Sequence, residues 1–235
     1  MKDIPPQLKQ EVIAGLRILC RRGLMEDNSG HVSARFGDTR YFVVVGHLHD
    51  KGWLLEEVGE EHLVVVDAET EEWKGPIGPP EEYYLHSAIY RRRPDVGGIV
   101  HAHPFAPVAL SAADRPVLPV HHWASPFYPQ VPVYPRFWQI CSRERGEELA
   151  ESLGEGYGVV LRGHGIVAVG SDVRAAVVHA VILDRCARIQ LACQGLGEVK
   201  PLPFEKREPI SRSRVEKLWS YEMSLLNRRE SVKEV

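Results

Sequence analysis

Three histidines in two short motifs could together hold a divalent metal ion. His101 and His103 flank a single alanine at the end of an apolar segment, and His164 lies between Gly163 and Gly165. If the apolar segment is a strand, side chains two residues apart lie on the same face, and both imidazoles can approach one ion. Three neutral imidazoles that leave one coordination position open are typical of a catalytic metal site, and zinc, manganese and cobalt all accept nitrogen ligands.

Each histidine motif is weak evidence when it is taken alone. An isolated His-x-His pair is more often incidental than metal-binding, and a lone Gly-His-Gly carries still less information. Glu82, four residues before His86, adds a carboxylate that could exchange a proton with a bound substrate. The alternative is that Glu81 and Glu82 merely complement the dipole at the start of a helix, which we favour for Glu81 but not for Glu82.

Helices and strands must bring these residues together, and their pattern predicts an α/β protein. Apolar residues at helical spacing predict helices over 5–22, 80–93, 143–152, 172–194 and 211–229. Ser171 is the expected cap of the helix that follows it. Runs of β-branched residues predict strands at 41–45, 62–67, 96–103, near 117–121 and 131–134, and a hairpin over 159–170. Because these elements do not alternate regularly, a layered α/β domain with a mixed or antiparallel sheet is favoured.

Composition limits the class of protein further. The chain has 235 residues, 44% of them hydrophobic and 26% charged, which is ordinary for a globular protein, so we expect one domain over 1–235 with a C-terminal helical extension at about 205–235. A net charge of -3 gives no electrostatic reason to bind nucleic acid or an anionic membrane. Four cysteines without a CxxC pair, and an N-terminal segment unlike a signal peptide, favour the reducing cytoplasm.

Taken together, the motifs resemble the class II aldolase/adducin family. The resemblance rests on their order and spacing over roughly residues 8–195. The matching segments are Ser29–Arg35, Glu82-x-x-x-His86, Arg93–Val96, Ile99–His103, Gly163–Gly165 and Ala187–Gln190. The resemblance implies a three-layer α/β/α domain with a central, mostly antiparallel sheet. It also implies a homotetramer whose active sites lie at the subunit interfaces.

Carried over by position, the resemblance makes His101, His103 and His164 the ligands of one divalent metal ion per subunit, and it makes Glu82 the acid/base group. The chain is then expected to be a metal-dependent carbon–carbon lyase. A divalent cation would chelate a hydroxyl and a neighbouring carbonyl or carboxyl oxygen of a small substrate. It would stabilise the enolate-like charge that develops when a carbon–carbon bond breaks.

The segments beside the site differ from those of the sugar-phosphate aldolases of this family. Those enzymes have an asparagine where His31 stands, a Thr-Gly pair after the first strand and two serines before the catalytic glutamate. This chain has Val45-Gly46-His47 after that strand and Pro79-Pro80 before the glutamate pair. Proline supplies neither a hydroxyl nor an N–H, so a phosphate-binding loop of that kind is not expected.

The Gly-His-Val-Ser motif with these prolines is more similar to the branch of the family that decarboxylates hydroxylated aromatic or heteroaromatic acids, such as dihydroxyphthalate or hydroxypyridine-dicarboxylate. We therefore expect decarboxylation of such a carboxylate. The alternative is an aldolase that cleaves a small, non-phosphorylated hydroxy-carbonyl compound, and the altered segments do not separate the two reactions. A third hypothesis is an adducin-like interaction module without catalysis, but all three histidines and the glutamate are present.

Further residues are predicted to contact the substrate. Where the aldolases place a tyrosine that acts from a neighbouring subunit, this chain has His122, which we predict as a second acid/base group. His31, Ser33 and Arg35 are predicted to bind a substrate carboxylate, although a structural role is the alternative for each and the stronger one for Arg35. An aromatic cluster could line a flat pocket for a ring or could instead pack a subunit interface, and its members are Trp123, Phe127, Tyr128 and Tyr134.

Overall fold

A computed structural model of the chain describes residues 4–36, 39–48 and 52–233, and these residues form one eight-stranded sheet with six α-helices around it. The strands are β1 (His31–Arg35), β2 (Tyr41–Val45), β3 (Leu63–Asp67), β4 (Trp73–Lys74), β5 (Gly98–Ala102), β6 (Val133–Tyr134), β7 (Gly158–Leu161) and β8 (Gly165–Gly170). The helices are α1 (Pro6–Arg21), α2 (Tyr83–Arg92), α3 (Phe105–Ala112), α4 (Arg143–Leu153), α5 (Val173–Ala192) and α6 (Arg212–Lys233).

The sheet has the strand order β4-β3-β2-β1-β5-β8-β7-β6, and β6 with β7 is the parallel pair of the described sheet. Side chains alternate across it, so that Val43 and Val45 pack in the core with α1, α3 and α5, whereas Phe42 and Val44 pack in the core with α2 and α4. Burial on both faces explains why the strands are continuous apolar runs. The predicted three-layer α/β/α fold with a mostly antiparallel sheet is confirmed.

The C-terminal helix is held to the domain by ion pairs. Glu222 of α6 is buried and pairs with Arg21 and Arg22 at the end of α1. Arg174 of α5 pairs with Glu216 of α6 at 2.7 Å. Division of the chain into one domain and a C-terminal extension stays a prediction. Within residues 4–36, 39–48 and 52–233, no helix has both the length and the apolar character that a membrane span requires.

Two of the predicted elements are corrected by side-chain hydrogen bonds. No strand forms at 117–121, because Gln190 of α5 takes the place of a neighbouring strand: it accepts from the Leu118 N–H and donates to the Pro116 carbonyl, both at 2.9 Å. The cap of α5 is Asp172 rather than Ser171. Its carboxylate accepts from the N–H three residues on at 2.8 Å, because the helix begins one residue later than expected.

One strand at the centre of the sheet was not predicted from the sequence. The strand β1 lies between β2 and β5, and its register places His31 opposite His101. It carries polar side chains at His31, Ser33 and Arg35, so its sequence lacks the apolar run that identified the other strands. The buried polar residues His31 and Ser33 bond to side chains of α2, which compensates the cost of burying them.

Acidification is expected to destabilise the fold through a buried histidine of α5. His179 is 1% exposed, its Nδ1 donates to the Val169 carbonyl at 2.7 Å, and burial lowers its pKa to about 4. The unfolded chain takes up this proton near its ordinary pKa of 6.5, whereas the folded chain does so only near 4. The free energy of unfolding therefore falls as the pH drops through this window, by about 1.4 kcal/mol per pH unit for this group.

Urea unfolding from neutral pH down to about pH 4 measures this slope. The His179→Gln variant has no proton to take up at this position, so its slope should be shallower by the contribution of one histidine. Equal slopes in the two proteins would show that His179 does not carry the effect.

Candidate metal centre

The three predicted metal ligands and Glu82 converge at one end of β5. One ligand atom from each of the four side chains lies within 4.8 Å of all the others. His101 Nε2 is 3.0 Å from His103 Nε2 and 3.2 Å from Glu82 Oε2, which is itself 3.4 Å from His164 Nε2. Three imidazoles at this spacing suit a divalent cation that keeps one coordination position open, with the carboxylate of Glu82 beside them, so the residues present are compatible with a metal ion.

The sheet determines how the first two imidazoles are presented. His101 is fully buried on β5, and its Nδ1 is 3.1 Å from the carbonyl of Ile166 on the neighbouring β8. An Nδ1–H that donates to this carbonyl leaves the lone pair on Nε2, which faces the cluster. His103 follows the strand, and burial, with the added effect of His101 and His164, lowers its pKa to about 3. A neutral imidazole is the form that binds metal.

The third imidazole lies on the tight turn between β7 and β8. Gly163 has a φ of 64°, a left-handed conformation that favours glycine, and its N–H donates to Ser111 of α3 at 3.0 Å. A Cβ on Gly165 would lie 2.7 Å from Cδ2 of His103. Glycine on both sides of His164 therefore allows the turn to approach the other ligands, and the predicted hairpin is confirmed.

Glu82 is placed immediately before α2 rather than inside it. It is the N-cap residue of the helix, it is buried, and its Oε1 accepts from the Ile140 N–H at 2.8 Å. Burial, the largest single influence, raises the pKa of Glu82, but His101 and His164 together outweigh it and hold the pKa well below its ordinary value. One carboxylate oxygen is thus fixed by the backbone, and the other faces the imidazoles.

Two cavities, here called the two lobes, lie beside the cluster, and both are lined by Ser29, Glu82 and Gln139. The larger lobe, of about 460 Å³, is also lined by His103, His164, Phe105 and Phe137. The two phenylalanines are 65% and 79% exposed, so they give this lobe an open apolar wall. The smaller lobe, of about 80 Å³, is also lined by His31, Gly46, His47 and Pro80.

Among the residues predicted to bind substrate, His31 is the one that the described structure places on this cavity. Ser33 is fully buried and lies 2.7 Å from His86 Nδ1, so it does not face the cavity. The guanidinium of Arg35 donates to the backbone carbonyl of Tyr90. His31, Ser33 and Arg35 share the face of β1 that packs against α2, and of the three only His31, at the start of the strand, lines the cavity, so the described structure does not support substrate contact by Ser33 or Arg35.

The predicted aromatic pocket is also corrected. Tyr134 is 2% exposed and donates to Glu148 at 2.9 Å, and Phe127 is part of the core. Neither lines either lobe, because both are used to pack the domain. The apolar wall comes instead from Phe105 and Phe137. Phe105 could have been found from the sequence because it lies two residues after His103, whereas nothing near Phe137 in the sequence indicates its place.

His122, the predicted second acid/base group, is exposed on a loop beside His121 and Trp123. It is not part of the four-residue cluster of its own chain. Its predicted action from a neighbouring subunit stays a prediction.

Comparison with known proteins gives a consistent set of relatives. The family model for the class II aldolase and adducin N-terminal domain matches residues 10–191. The chain is 31% identical over 207 residues to the 3,4-dihydroxyphthalate decarboxylase of Arthrobacter keyseri, covering 83% of this chain and 82% of the relative. It is 26% identical over 206 residues to an L-fuculose phosphate aldolase of Escherichia coli, covering 87% and 91%. An aldolase II superfamily protein from Pseudomonas syringae has the same fold, with a TM-score of 0.80, 24% identity and coverage of 96% and 95%.

Proposed function

Because the chain belongs to the class II aldolase and adducin family, and its relatives include decarboxylases and aldolases, which are carbon–carbon lyases, we propose that it decarboxylates a hydroxylated aromatic or heteroaromatic acid. The observation that carries this proposal is the wall of the smaller lobe, which has Pro80 and the imidazole of His31 beside Glu82. Proline offers no donor to a phosphate, whereas an imidazole can donate to a carboxylate. The 31% identity to a dihydroxyphthalate decarboxylase supports the same choice.

We propose one divalent cation per chain, zinc, manganese or cobalt, held by His101, His103 and His164. The bound cation supplies electrostatic stabilisation of the negative charge that develops on the substrate during bond cleavage.

Glu82 is the group that moves the proton in this proposal. Its Oε2 accepts the proton of the ring hydroxyl when the substrate binds, while Oε1 stays hydrogen-bonded to the Ile140 N–H. When the bond to the carboxyl group breaks, CO₂ leaves and the electron pair remains on the ring carbon. Glu82 then returns its proton to that carbon, so that one carboxylate serves both steps. Phe105 and Phe137 offer the ring an apolar wall in the larger lobe.

We further propose a cytoplasmic homotetramer in which His122 acts at the site of a neighbouring subunit. The four cysteines are free thiols, which agrees with a reducing compartment. The large exposure of Phe105 and Phe137 beside the site supports contact with another chain. Light scattering of the metal-loaded protein checks the stoichiometry, and a monomeric mass would contradict the assembly.

The test of the reaction is CO₂ release by the Mn²⁺- or Zn²⁺-loaded protein from a panel of ortho-hydroxyaryl and hydroxypyridine carboxylates. Aldehyde formation from hydroxy-ketones and hydroxy-acids is measured in parallel. CO₂ release that a chelator abolishes is the expected result. Aldehyde without CO₂ would favour the second candidate, a non-phosphorylated aldolase substrate, for which the relation to the fuculose phosphate aldolase is the supporting observation.

Absence of turnover in both assays, with metal bound, would point first to a substrate outside both panels. The adducin-like interaction module would be the second explanation. The presence of all four side chains of the cluster argues against that outcome, since a module without catalysis has no need of them.

A further inference from the structure

Behind the smaller lobe, four side chains form a continuous hydrogen-bonded chain, here called the His31 relay. His31 Nδ1 is 2.6 Å from His86 Nε2, His86 Nδ1 is 2.7 Å from Ser33 Oγ, and Ser33 Oγ is 2.8 Å from Tyr90 Oη. All four residues are buried, with exposed fractions of 6%, 0%, 0% and 3% for His31, His86, Ser33 and Tyr90. The relay therefore runs from the cavity wall into the core without reaching solvent at its inner end.

The relay is built by two elements with matching repeats. His31 and Ser33 are two residues apart on β1, so they face the same side of the sheet. His86 and Tyr90 are four residues apart on α2, so they share a helix face. The ring of Phe42 lies against both of the α2 rings, with centroids 6.0 Å and 5.0 Å away, and separates them from water.

Each hydrogen bond of the relay needs one donor and one acceptor, and a neutral His86 donates from one ring nitrogen and accepts at the other. The donors along the relay therefore all point in the same direction, either inwards from His31 or outwards from Tyr90. If they ran from His31 inwards, the Tyr90 hydroxyl would be the last donor, and it has no acceptor other than Ser33 among the described residues. A buried donor without an acceptor is costly and rare. If the protons run from Tyr90 outwards, every donor within the relay is used. Tyr90 donates to Ser33, Ser33 donates to His86 Nδ1, and His86 Nε2–H donates to His31 Nδ1.

The outward direction leaves His31 with its proton on Nε2. No described residue bonds to this nitrogen, and His31 lines the smaller lobe, so Nε2 is the ring nitrogen that remains available to a group bound in the cavity. Both imidazoles of the relay must be neutral for this arrangement. Burial lowers the pKa of His86 to about 3, which agrees with a neutral ring at the centre of the relay.

We propose that Ser33 and His86 are positioning residues that hold His31 as its Nε2–H tautomer, so that His31 presents a hydrogen-bond donor to the cavity. The identity of the acceptor rests on the proposed function: the group that accepts this hydrogen bond is a carboxylate oxygen of the substrate. His31 then binds and orients the acid but takes no proton from it, and proton transfer is left to Glu82.

The tautomer is measured by ¹⁵N NMR of the full-length, Zn²⁺-loaded protein labelled at histidine, because protonated and unprotonated ring nitrogens differ widely in chemical shift. His31→Gln identifies the signals of His31. The expected result is a protonated Nε2 and an unprotonated Nδ1. Tyr90→Phe should keep this form, because the Ser33 hydroxyl then becomes the last donor with no acceptor further inward. Ser33→Ala should populate both tautomers, because neither direction satisfies His86 Nδ1.

A protonated Nδ1 on His31 in the wild-type protein would overturn the proposed direction. A single Nε2–H form in Ser33→Ala would overturn the role of Ser33. Metal affinity of the variant is measured first, since unchanged affinity shows that the ligand cluster remains folded.

The effect of the His31 tautomer on catalysis is tested by comparing Ser33→Ala with the same substitution at a second buried serine. Ser87 is also fully buried, it follows His86 in the chain, and its hydroxyl has no partner within the described residues. With the best substrate of the CO₂ panel, Ser33→Ala should lower kcat/KM in proportion to the share of His31 that leaves the Nε2–H form, about twofold if the two tautomers are equally populated, and Ser87→Ala should lower it far less. Equal effects would overturn the positioning role. If the wild-type protein turns over no substrate, the proposed function fails. The NMR result still decides the direction of the hydrogen bonds in the relay and the tautomer of His31.

Discussion

Replacing His103 by alanine should weaken the binding of Zn²⁺ or Mn²⁺ by at least about a hundredfold, since loss even of a group that only orients a ligand costs about tenfold to a hundredfold. At limiting metal, turnover should fall by roughly a thousandfold or more, because the electrostatic stabilisation supplied by a cation contributes several kcal/mol. His103 is a better choice than His101, which is fully buried and bonded to the Ile166 carbonyl, so that its removal would also disturb the sheet. Isothermal titration with metal and the CO₂ assay measure the two effects.

The control for this variant is His62→Ala. His62 is a buried histidine outside the four-residue cluster, and its Nδ1 accepts from the Gly59 N–H at 3.0 Å. Its replacement should leave metal affinity close to that of the wild type. If His103→Ala binds either metal as tightly as the wild type, the proposed site is wrong.

Replacing Glu82 by glutamine should lower kcat by about 10²- to 10⁴-fold at saturating metal, the range expected for loss of a general acid/base. Glutamine keeps the shape of the side chain and an oxygen that can accept from the Ile140 N–H, so the local fold should persist. Because the three imidazoles remain, metal affinity should fall much less than in His103→Ala. Turnover as a function of metal concentration, with metal content measured on the same samples, checks both expectations.

Metal saturation separates two roles of the same carboxylate. If Glu82 only helps to hold the cation, excess metal will restore the turnover of Glu82→Gln, and the acid/base assignment will be wrong. If Glu82 moves the proton, excess metal will not restore it. Glu151→Gln is the control, since Glu151 is exposed on α4 and lines neither lobe. It should change kcat little.

The metal cluster was predictable because its ligands are local in sequence or flanked by informative residues. His101 and His103 follow an apolar strand, and the glycines around His164 indicate a tight turn. Alternation in a strand then brings the first two rings to one face without any knowledge of the tertiary structure. The convergence of the turn with β5 depended on the resemblance to a family, since no local pattern specifies which strands pair.

The apolar wall and the His31 relay could not be predicted, because both depend on contacts between distant segments. Phe137 reaches the cavity as part of the segment whose Ile140 N–H bonds to Glu82, 58 residues earlier in the chain. Ser33 was predicted to bind the substrate because it stands in the Gly-His-Val-Ser motif of the family resemblance. Its actual partner, His86, is 53 residues away and is specified only by the packing of α2 on β1.

The proposed metal ligands and the residues of the smaller lobe lie on different segments of the chain, and this separation has a consequence for the evolution of substrate specificity. The proposed metal ligands lie at and directly after the end of β5 and on the turn that joins β7 to β8, whereas residues of the smaller lobe lie at the start of β1, after β2 and before α2. Mutations in the second set alter the shape and polarity offered to a substrate without replacing a ligand of the ion. Selection can therefore change the compound that is cleaved while the chemistry is kept. For laboratory evolution, a library confined to residues 46–48 and 79–80 would exploit this separation, with hydroxyl side chains at Pro79 and Pro80 as the first substitutions to recruit phosphorylated substrates.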